Sequence, residues 1–136
     1  MHNKLIIYTD GGARGNPGPA GIGAVFYDAD GNRLAEISEY IGETTNNQAE
    51  YKAVLAAIKK AGELKAYELE FYLDSELVVN QLCRNFKVKN CELAPLFVKI
   101  YNETLSFKKV TFRYIPRENN RSADKLVNQA LDRAGK

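Results

Sequence analysis

The order of the predicted strands and helices is the feature that most constrains what this chain can fold into. Three strand patterns come first: the segment KLIIYTDGG, and then two strands within residues 20–42 that turn at Asp30-Gly31. An Asp-Gly pair between two β-rich runs is typical of a hairpin. Apolar residues at helical spacing then predict the first helix over residues 47–62.

Strands and helices alternate in the rest of the chain. The strand YELEFYLD is followed by the short helix SELVVNQLC, the polar break RNFKVKN and a helix over residues 92–105. KKVTFRYIP is the last strand, and a final helix is predicted near residues 121–134. The order βββαβααβα predicts the α/β class, with a mixed five-stranded sheet and helices packed on both faces. We expect residues 1–136 to form a single domain.

Composition limits the possible classes of protein. The chain has 136 residues, of which 45% are apolar and 26% charged, as in ordinary globular domains. No segment approaches the roughly 20 apolar residues of a membrane span, and the N-terminal apolar run is too short for a signal peptide. A cytoplasmic location without membrane contact is therefore expected. The net charge of +2 does not by itself indicate a nucleic-acid partner.

Cysteine and histidine are scarce. Cys83, Cys91 and His2 are the only residues of these types, and three ligands cannot complete a four-ligand structural zinc site. The two cysteines either form a disulfide or remain as reduced, part-buried thiols, and the second state is typical of cytosolic proteins.

Four acidic residues stand at the ends of predicted elements, and each has a local explanation. Asp10 precedes a Gly-Gly turn, and Glu50 lies three residues after Asn47, the spacing of a capping box in which Asn47 is the N-cap. Asp74 and Asp124 stand at helix starts, where a negative charge suits the helix dipole. No single acid therefore indicates a function.

The four acids together are more informative than any one of them. If the first and fourth strands are neighbours, strand ends and helix starts bring all four carboxylates to one edge of the sheet. Such a group repels itself unless cations lie between its members. Oxygen ligands without histidine or cysteine select Mg²⁺ or Mn²⁺, and a pair of such ions is the machinery of phosphodiester hydrolysis.

Four motifs carry a resemblance to a known family. They are YTDGGARGNPGPAGIGAV at 8–25, TTNNQAEYKAVLAAI at 44–58, YLDSELVVNQL at 72–82 and IPRENNRSADKLVNQAL at 115–131. In the order, spacing and context of its acids, the chain resembles type 1 ribonuclease H over nearly its whole length.

The resemblance implies the ribonuclease H fold and a function. It implies endonucleolytic cleavage of the RNA strand of an RNA–DNA hybrid, which leaves 3′-hydroxyl and 5′-phosphate ends. It implies a monomer that holds two ions, Mg²⁺ or Mn²⁺, when substrate is bound. The metal ligands and catalytic residues implied by the family are Asp10, Glu50, Asp74 and Asp124.

Substrate recognition is also implied by the family motifs. A 2′-hydroxyl donates and accepts hydrogen bonds, and an asparagine amide does both. Asn16, Asn46 and Asn47 match family positions that contact nucleic acid, and Thr45 matches a threonine that helps to hold a DNA-strand phosphate. The predicted substrate contacts are Asn16, Thr45, Asn46, Asn47, Gln48, Ser75 and Arg117.

Two departures from the bacterial members concern substrate handling. The loop 115–121 lacks the histidine found there in bacterial members, and in this it resembles archaeal and plant-like ones. Arg117 in that loop is either a mobile cation in place of the histidine or an ordinary surface arginine. The basic segment 84–90 is short, and no separate hybrid-binding domain is expected before residue 1. A nuclease that also cuts double-stranded RNA, or a non-catalytic nucleic-acid-binding module, remains as an alternative.

Overall fold

The computed structural model describes residues 2–136 and contains one five-stranded mixed sheet. Adjacent strands follow the order β3-β2-β1-β4-β5; β2 is antiparallel to both β1 and β3, β4 is parallel to β1, and β5 is parallel to β4. The predicted mixed sheet and the predicted neighbourhood of the first and fourth strands are confirmed. The strands are β1 (His2–Ala13), β2 (Gly18–Asp28), β3 (Arg33–Thr44), β4 (Ala66–Leu73) and β5 (Lys109–Tyr114).

The chain has four α-helices in the described residues, and helices pack on both faces of the sheet, as predicted. The first, α1, contacts β1 and β2 on one face and also packs against α3, whereas α4 contacts β2, β3 and β1 on the other face. In the part of the chain that the structure describes, no helix is long and apolar enough to cross a membrane. The helices are α1 (Asn46–Glu63), α2 (Glu76–Leu82), α3 (Ala94–Thr104) and α4 (Arg121–Arg133), and a 3₁₀ turn spans Arg117–Asn119.

The main core lies between the sheet and α1. Alternation along the strands decides which side chains enter it, because successive residues of a strand point to opposite faces. In β4 the predicted inward set, Leu69, Phe71 and Leu73, is fully buried. Tyr51 of α1 joins this core, and burial raises the pKa of its hydroxyl to about 12.

The first turn of α1 differs from the prediction. Thr45 is the N-cap: its hydroxyl accepts from the backbone N–H of Gln48 at 3.2 Å, and the Gln48 side chain accepts from the backbone N–H of Thr45 at 3.2 Å. The predicted box of Asn47 and Glu50 is wrong, because Thr45 and Gln48 form the same Thr-x-x-Gln pattern two residues earlier. Glu50 therefore has no capping role.

The thiols also differ from the prediction. Cys83 and Cys91 are free, and both are exposed rather than part-buried. Cys83 follows the buried Leu82 as the C-cap of α2, and Cys91 lies in the connection to α3.

Two glycines let helices approach the sheet closely. A Cβ built on Gly11 of β1 would lie 2.3 Å from the backbone carbon and oxygen of Ala49 in α1. A Cβ on Gly23 of β2 would lie 2.4 Å from the carbonyl oxygen of Ala123 in α4. Gly11 follows Asp10 in β1, and Gly23 is the strand partner of Asp10. The two contacts therefore bring both helices to the neighbourhood of Asp10.

We predict that Gly11→Ala lowers the free energy of unfolding by about 3 kcal/mol or more, because the added methyl meets rigid backbone. Gly62→Ala is the matched control, since its Cβ would lie 4.0 Å from Phe107 Cζ. We expect that change to be neutral or to stabilise α1 by about 0.5–1 kcal/mol. Urea unfolding of both variants measures the difference, and equal stability of Gly11→Ala and the parent chain would contradict the close approach.

Candidate active site

Three of the four predicted acids meet at one edge of the sheet. Tyr8 of β1 lies opposite Tyr72 of the parallel strand β4, so Asp10 and Asp74 each follow two residues later. The carboxylate oxygens of Asp10, Glu50 and Asp74 come within 4.8 Å of one another. Glu50 reaches this group because it directly follows Ala49, the residue of α1 that rests on Gly11.

Asp124 lies beside this group rather than within it. It stands in the first turn of α4, one residue after Ala123, and its charge acts on Asp10. The Asn128 side chain donates to the Asp124 carbonyl at 3.1 Å and to its carboxylate at 3.4 Å. All four acids line a single cleft of about 520 Å³. Of the predicted substrate contacts, the cleft is also lined by Asn46, Asn47, Ser75 and Arg117.

Burial makes the charge of this cluster costly. Asp10 is 6% exposed and Glu50 is 7% exposed. Burial, and then the charge of Asp74, raise the pKa of Asp10 to about 7. Burial, and then the charge of Asp10, raise the pKa of Glu50 well above its ordinary value. Without a counterion, both carboxyl groups therefore retain protons at a pH where a surface carboxylate has lost its own.

The residues of the cluster fit a hard divalent cation. Glu50 Oε2 is buried and has no hydrogen-bond partner among residues 2–136, and a buried carboxylate oxygen without a partner is expensive. The donor atoms are all carboxylate oxygens, which suit Mg²⁺ or Mn²⁺. A bound cation would compensate the repulsion and also satisfy this oxygen.

Asn120 belongs to the site, and sequence reasoning missed it. It is 1% exposed, and its Nδ2 donates to the Asp74 carboxylate at 2.9 Å and to the Thr9 carbonyl at 2.8 Å. The amide thus fixes one Asp74 oxygen relative to β1. The signal in the sequence was only a pair of asparagines before α4, which is equally typical of a loop.

A chain of hydrogen bonds ties the β1–β2 turn to the start of α1. Asn16 Oδ1 accepts from the backbone N–H of Asn46 at 3.0 Å, and Asn46 Oδ1 accepts from the backbone N–H of Ala13 at 2.8 Å. Both amide oxygens are therefore engaged within the protein. The amide nitrogens of Asn16 and Asn46 remain the groups that can face a ligand.

Thr45 and Gln48 form hydrogen bonds within the start of α1, whereas Asn46 and Asn47 line the cleft. The Gln48 side-chain oxygen receives hydrogen bonds from the hydroxyls of Thr44 and Thr45 and from the Thr45 backbone N–H. In the first turn of α1, the N–H groups of Asn46, Gln48 and Ala49 are all bonded internally. Thr45 and Gln48 thus fix the helix start, and neither of them lines the cleft.

We predict that Asp10→Asn stabilises the metal-free protein at pH 8. The folded-state pKa of Asp10 is raised to about 7 from 3.8, so the folded chain holds the Asp10 proton more tightly than the unfolded chain does. The contribution of this proton to the free energy of unfolding is fully present below about pH 4 and is lost as the pH rises through about 7. The asparagine removes this loss, which we expect to amount to about 2 kcal/mol or more at pH 8. Thermal unfolding in chelator at pH 4 to 8 measures it. A difference in stability between Asp10→Asn and the parent chain that stays constant with pH would contradict the raised pKa of Asp10.

We predict that Asn120→Ala weakens the site without unfolding the chain. Loss of the hydrogen bond to Asp74 frees that carboxylate, and loss of a group that orients a ligand typically costs about 10–100-fold in metal affinity or activity. The Mg²⁺ concentration that gives half-maximal thermal stabilisation measures the change. Asn119→Ala is the control, because the neighbouring asparagine is exposed. Equal Mg²⁺ dependence of the two variants would contradict the role of Asn120.

Comparison with known proteins places this chain and its fold in a family. The family model described as reverse transcriptase-like matches residues 8–130. The structure of LC11-RNase H1, a protein isolated from compost, in complex with an RNA/DNA hybrid is 48% identical to this chain, with a TM-score of 0.93 over 97% of this chain and 99% of that one. RNase H1 of Halobacterium salinarum is 38% identical, with a TM-score of 0.92 over 95% of this chain and 98% of that one.

Curated relatives extend beyond the matched region. The bifunctional protein Rv2228c of Mycobacterium tuberculosis is 43% identical over 132 residues, which are 96% of this chain and 36% of that protein. The chain likewise spans 66% of the length of the Halobacterium salinarum ribonuclease HI. Since the family model covers residues 8–130 and the RNase H1 structures correspond almost end to end, the chain belongs to the type 1 ribonuclease H family.

Proposed function

We propose that the protein is a metal-dependent endonuclease that hydrolyses the RNA strand of RNA–DNA hybrids and leaves 3′-hydroxyl and 5′-phosphate ends. The observation that carries this proposal is the cluster of buried Asp10 and Glu50 with half-buried Asp74, which contains a carboxylate oxygen without a hydrogen-bond partner among the described residues. The hybrid bound to LC11-RNase H1 supports the choice of substrate. One sheet with one main core also supports a single domain.

The four acids are the proposed ligands of two divalent ions in the complex with substrate. Such ions, when bound, supply activation of the attacking water and neutralisation of charge on the leaving oxygen. Asp10 and Glu50 are held by backbone packing at Gly11, and Asp74 is held by Asn120. Asp124 approaches the cleft from α4, on the opposite face of the sheet from α1.

The asparagines at the start of α1 are the proposed readers of the hybrid. Asn46 and Asn47 line the cleft beside the acids, within reach of a strand whose phosphate lies at the cluster. The amide nitrogens of Asn16 and Asn46 can donate to 2′-hydroxyl or base-edge acceptors. Thr45 and Gln48 act mainly by fixing the helix start, and the match of Thr45 to a family threonine also makes it the proposed contact for a phosphate of the DNA strand.

Arg117 and Ser75 complete the proposed contacts. Ser75 caps α2, since its hydroxyl accepts from the Val78 backbone N–H at 3.3 Å, and it adjoins Asp74 in the cleft. Arg117 is exposed at the mouth of the cleft. A guanidinium stays charged near neutral pH and cannot accept a proton, so Arg117 contributes charge to phosphate binding rather than acting as a base.

We predict that the protein cleaves the RNA strand of a labelled RNA–DNA hybrid in the presence of Mg²⁺ or Mn²⁺, and that Glu50→Gln abolishes the cleavage. The amide cannot supply the negative charge that holds the ions. Glu63→Gln is the matched control on the same helix, because Glu63 is exposed at the end of α1. Gel analysis of end-labelled products measures the rate and identifies the ends.

Three substrates separate this proposal from its alternatives: the hybrid, double-stranded RNA, and a DNA duplex with one ribonucleotide. We expect the hybrid to be cut and double-stranded RNA to be left intact. Cleavage of both at similar rates would replace the proposal with a nuclease of broader specificity. Binding of the hybrid without cleavage under either metal would identify a non-catalytic module.

A further inference from the structure

A groove of about 590 Å³ follows the outer edge of β5, the last strand of the sheet. Every residue from 107 to 113 lines it. Because successive side chains of a strand point to opposite faces, a groove touched by all of them runs along the strand edge and not over one face. Among the described residues β5 pairs with β4 alone, so this edge has no strand on its outer side.

The opposite wall of the groove comes from two helices. The end of α2 contributes Leu82, Cys83 and Arg84, and α3 contributes a row of mainly apolar residues. The Cys83 thiol donates to the Phe112 carbonyl at 3.3 Å, which fixes the end of α2 against β5. The apolar residues that line the groove while packing against the main core are Leu82, Phe97, Ile100, Phe107, Val110 and Phe112.

All the charged residues that line the groove are basic. They are Arg84, Lys108, Lys109 and Arg113, and no aspartate or glutamate is among the lining residues. The Arg84 guanidinium lies 5.3 Å from the centre of the Tyr101 ring, which holds it at the rim. A second copy of the chain would present the same positive charges at its own β5, so repulsion disfavours pairing of two copies through this edge.

We propose that this groove binds an extended acidic peptide segment of a partner protein as a short additional strand beside the part of β5 before Phe112, whose carbonyl is already bonded to Cys83. Main-chain hydrogen bonds to an exposed strand edge give affinity in such complexes, and alternate side chains enter neighbouring pockets. Here the apolar residues of the segment would meet Val110 and Phe112, and its carboxylates would meet the basic rim. A nucleic-acid strand would match the charges, and its bases could stack on the aromatic rings, but it could not add to the sheet by strand pairing with the backbone of β5.

The groove is separate from the catalytic cleft. No residue lines both of them, so a segment bound beside β5 leaves the four acids accessible. Peptide binding beside β5 does not depend on whether the protein cleaves hybrids. A partner bound beside β5 could thus localise this chain while the catalytic cleft stays open to substrate.

The test uses four fluorescein-labelled heptapeptides in which aspartate or glutamate alternates with Val, Ile, Leu or Phe. We expect at least one to bind saturably by fluorescence anisotropy and to weaken as salt is added. An analogue of that peptide with N-methyl groups on the residues that would pair should bind at least about 10-fold more weakly, because it keeps the side chains and loses the strand hydrogen bonds.

A pair of matched variants locates the binding site. Lys108→Gln with Lys109→Gln removes two charges from the groove, and we expect about a 10-fold or greater loss of peptide affinity. Lys59→Gln with Lys60→Gln removes two adjacent charges from α1, away from the groove, and should leave the affinity unchanged. Circular dichroism verifies that both double variants are folded.

Five outcomes would overturn the proposal. The first three are no saturable binding by any of the four peptides, equal binding of the N-methylated analogue, and equal effects of the two lysine pairs. The fourth is displacement of the peptide by a short oligothymidylate whose own binding depends on Lys108 and Lys109, which would assign the groove to nucleic acid. Self-association that the Lys108 and Lys109 change abolishes, seen by sedimentation, would likewise assign the edge to a second copy.

Discussion

The contact of two helix backbones with the sheet at glycine positions holds the site together. At Gly11 and Gly23 a single added carbon would lie 2.3 Å and 2.4 Å from the backbone of α1 and α4. The residues that follow these contacts in the two helices are Glu50 and Asp124. Close packing of the helix backbones on the sheet therefore places Glu50 and Asp124 next to Asp10. Protein interiors of this density do not relax easily, so the acids cannot move apart to relieve their repulsion.

That repulsion explains the raised pKa values in the site and its suitability for a cation. Burial and neighbouring charge raise the pKa of both Asp10 and Glu50, so ionisation of both groups without a cation would destabilise the folded chain. Asn120 adds to the constraint by fixing Asp74 against β1. A cluster that is costly without a cation is correspondingly favourable to one, and selection of a hard divalent ion follows from its oxygen-only donors.

Much of the fold could be predicted because the local sequence patterns of the strands and helices match their packing in the sheet. Strand alternation identified Leu69, Phe71 and Leu73 as inward-facing, and the acids at element ends suggested their convergence. The start of α1 was mispredicted because Thr45 with Gln48 and Asn47 with Glu50 both resemble a capping box, and only the packed structure decides between them. Asn120, 111 residues from Thr9 in the chain, has a role set by long-range packing that no local pattern encodes. The same holds for the groove beside β5, which depends on where α2 and α3 come to rest.

Cation binding can be measured to test whether packing forces these acids into a cation site. Free and bound Mn²⁺ can be counted by electron paramagnetic resonance as the ion is added to the protein at pH 8. We predict saturable binding to the parent chain, and strongly weakened binding to Asp10→Asn and to Glu50→Gln. Binding that both variants retain at the parent affinity would contradict this prediction.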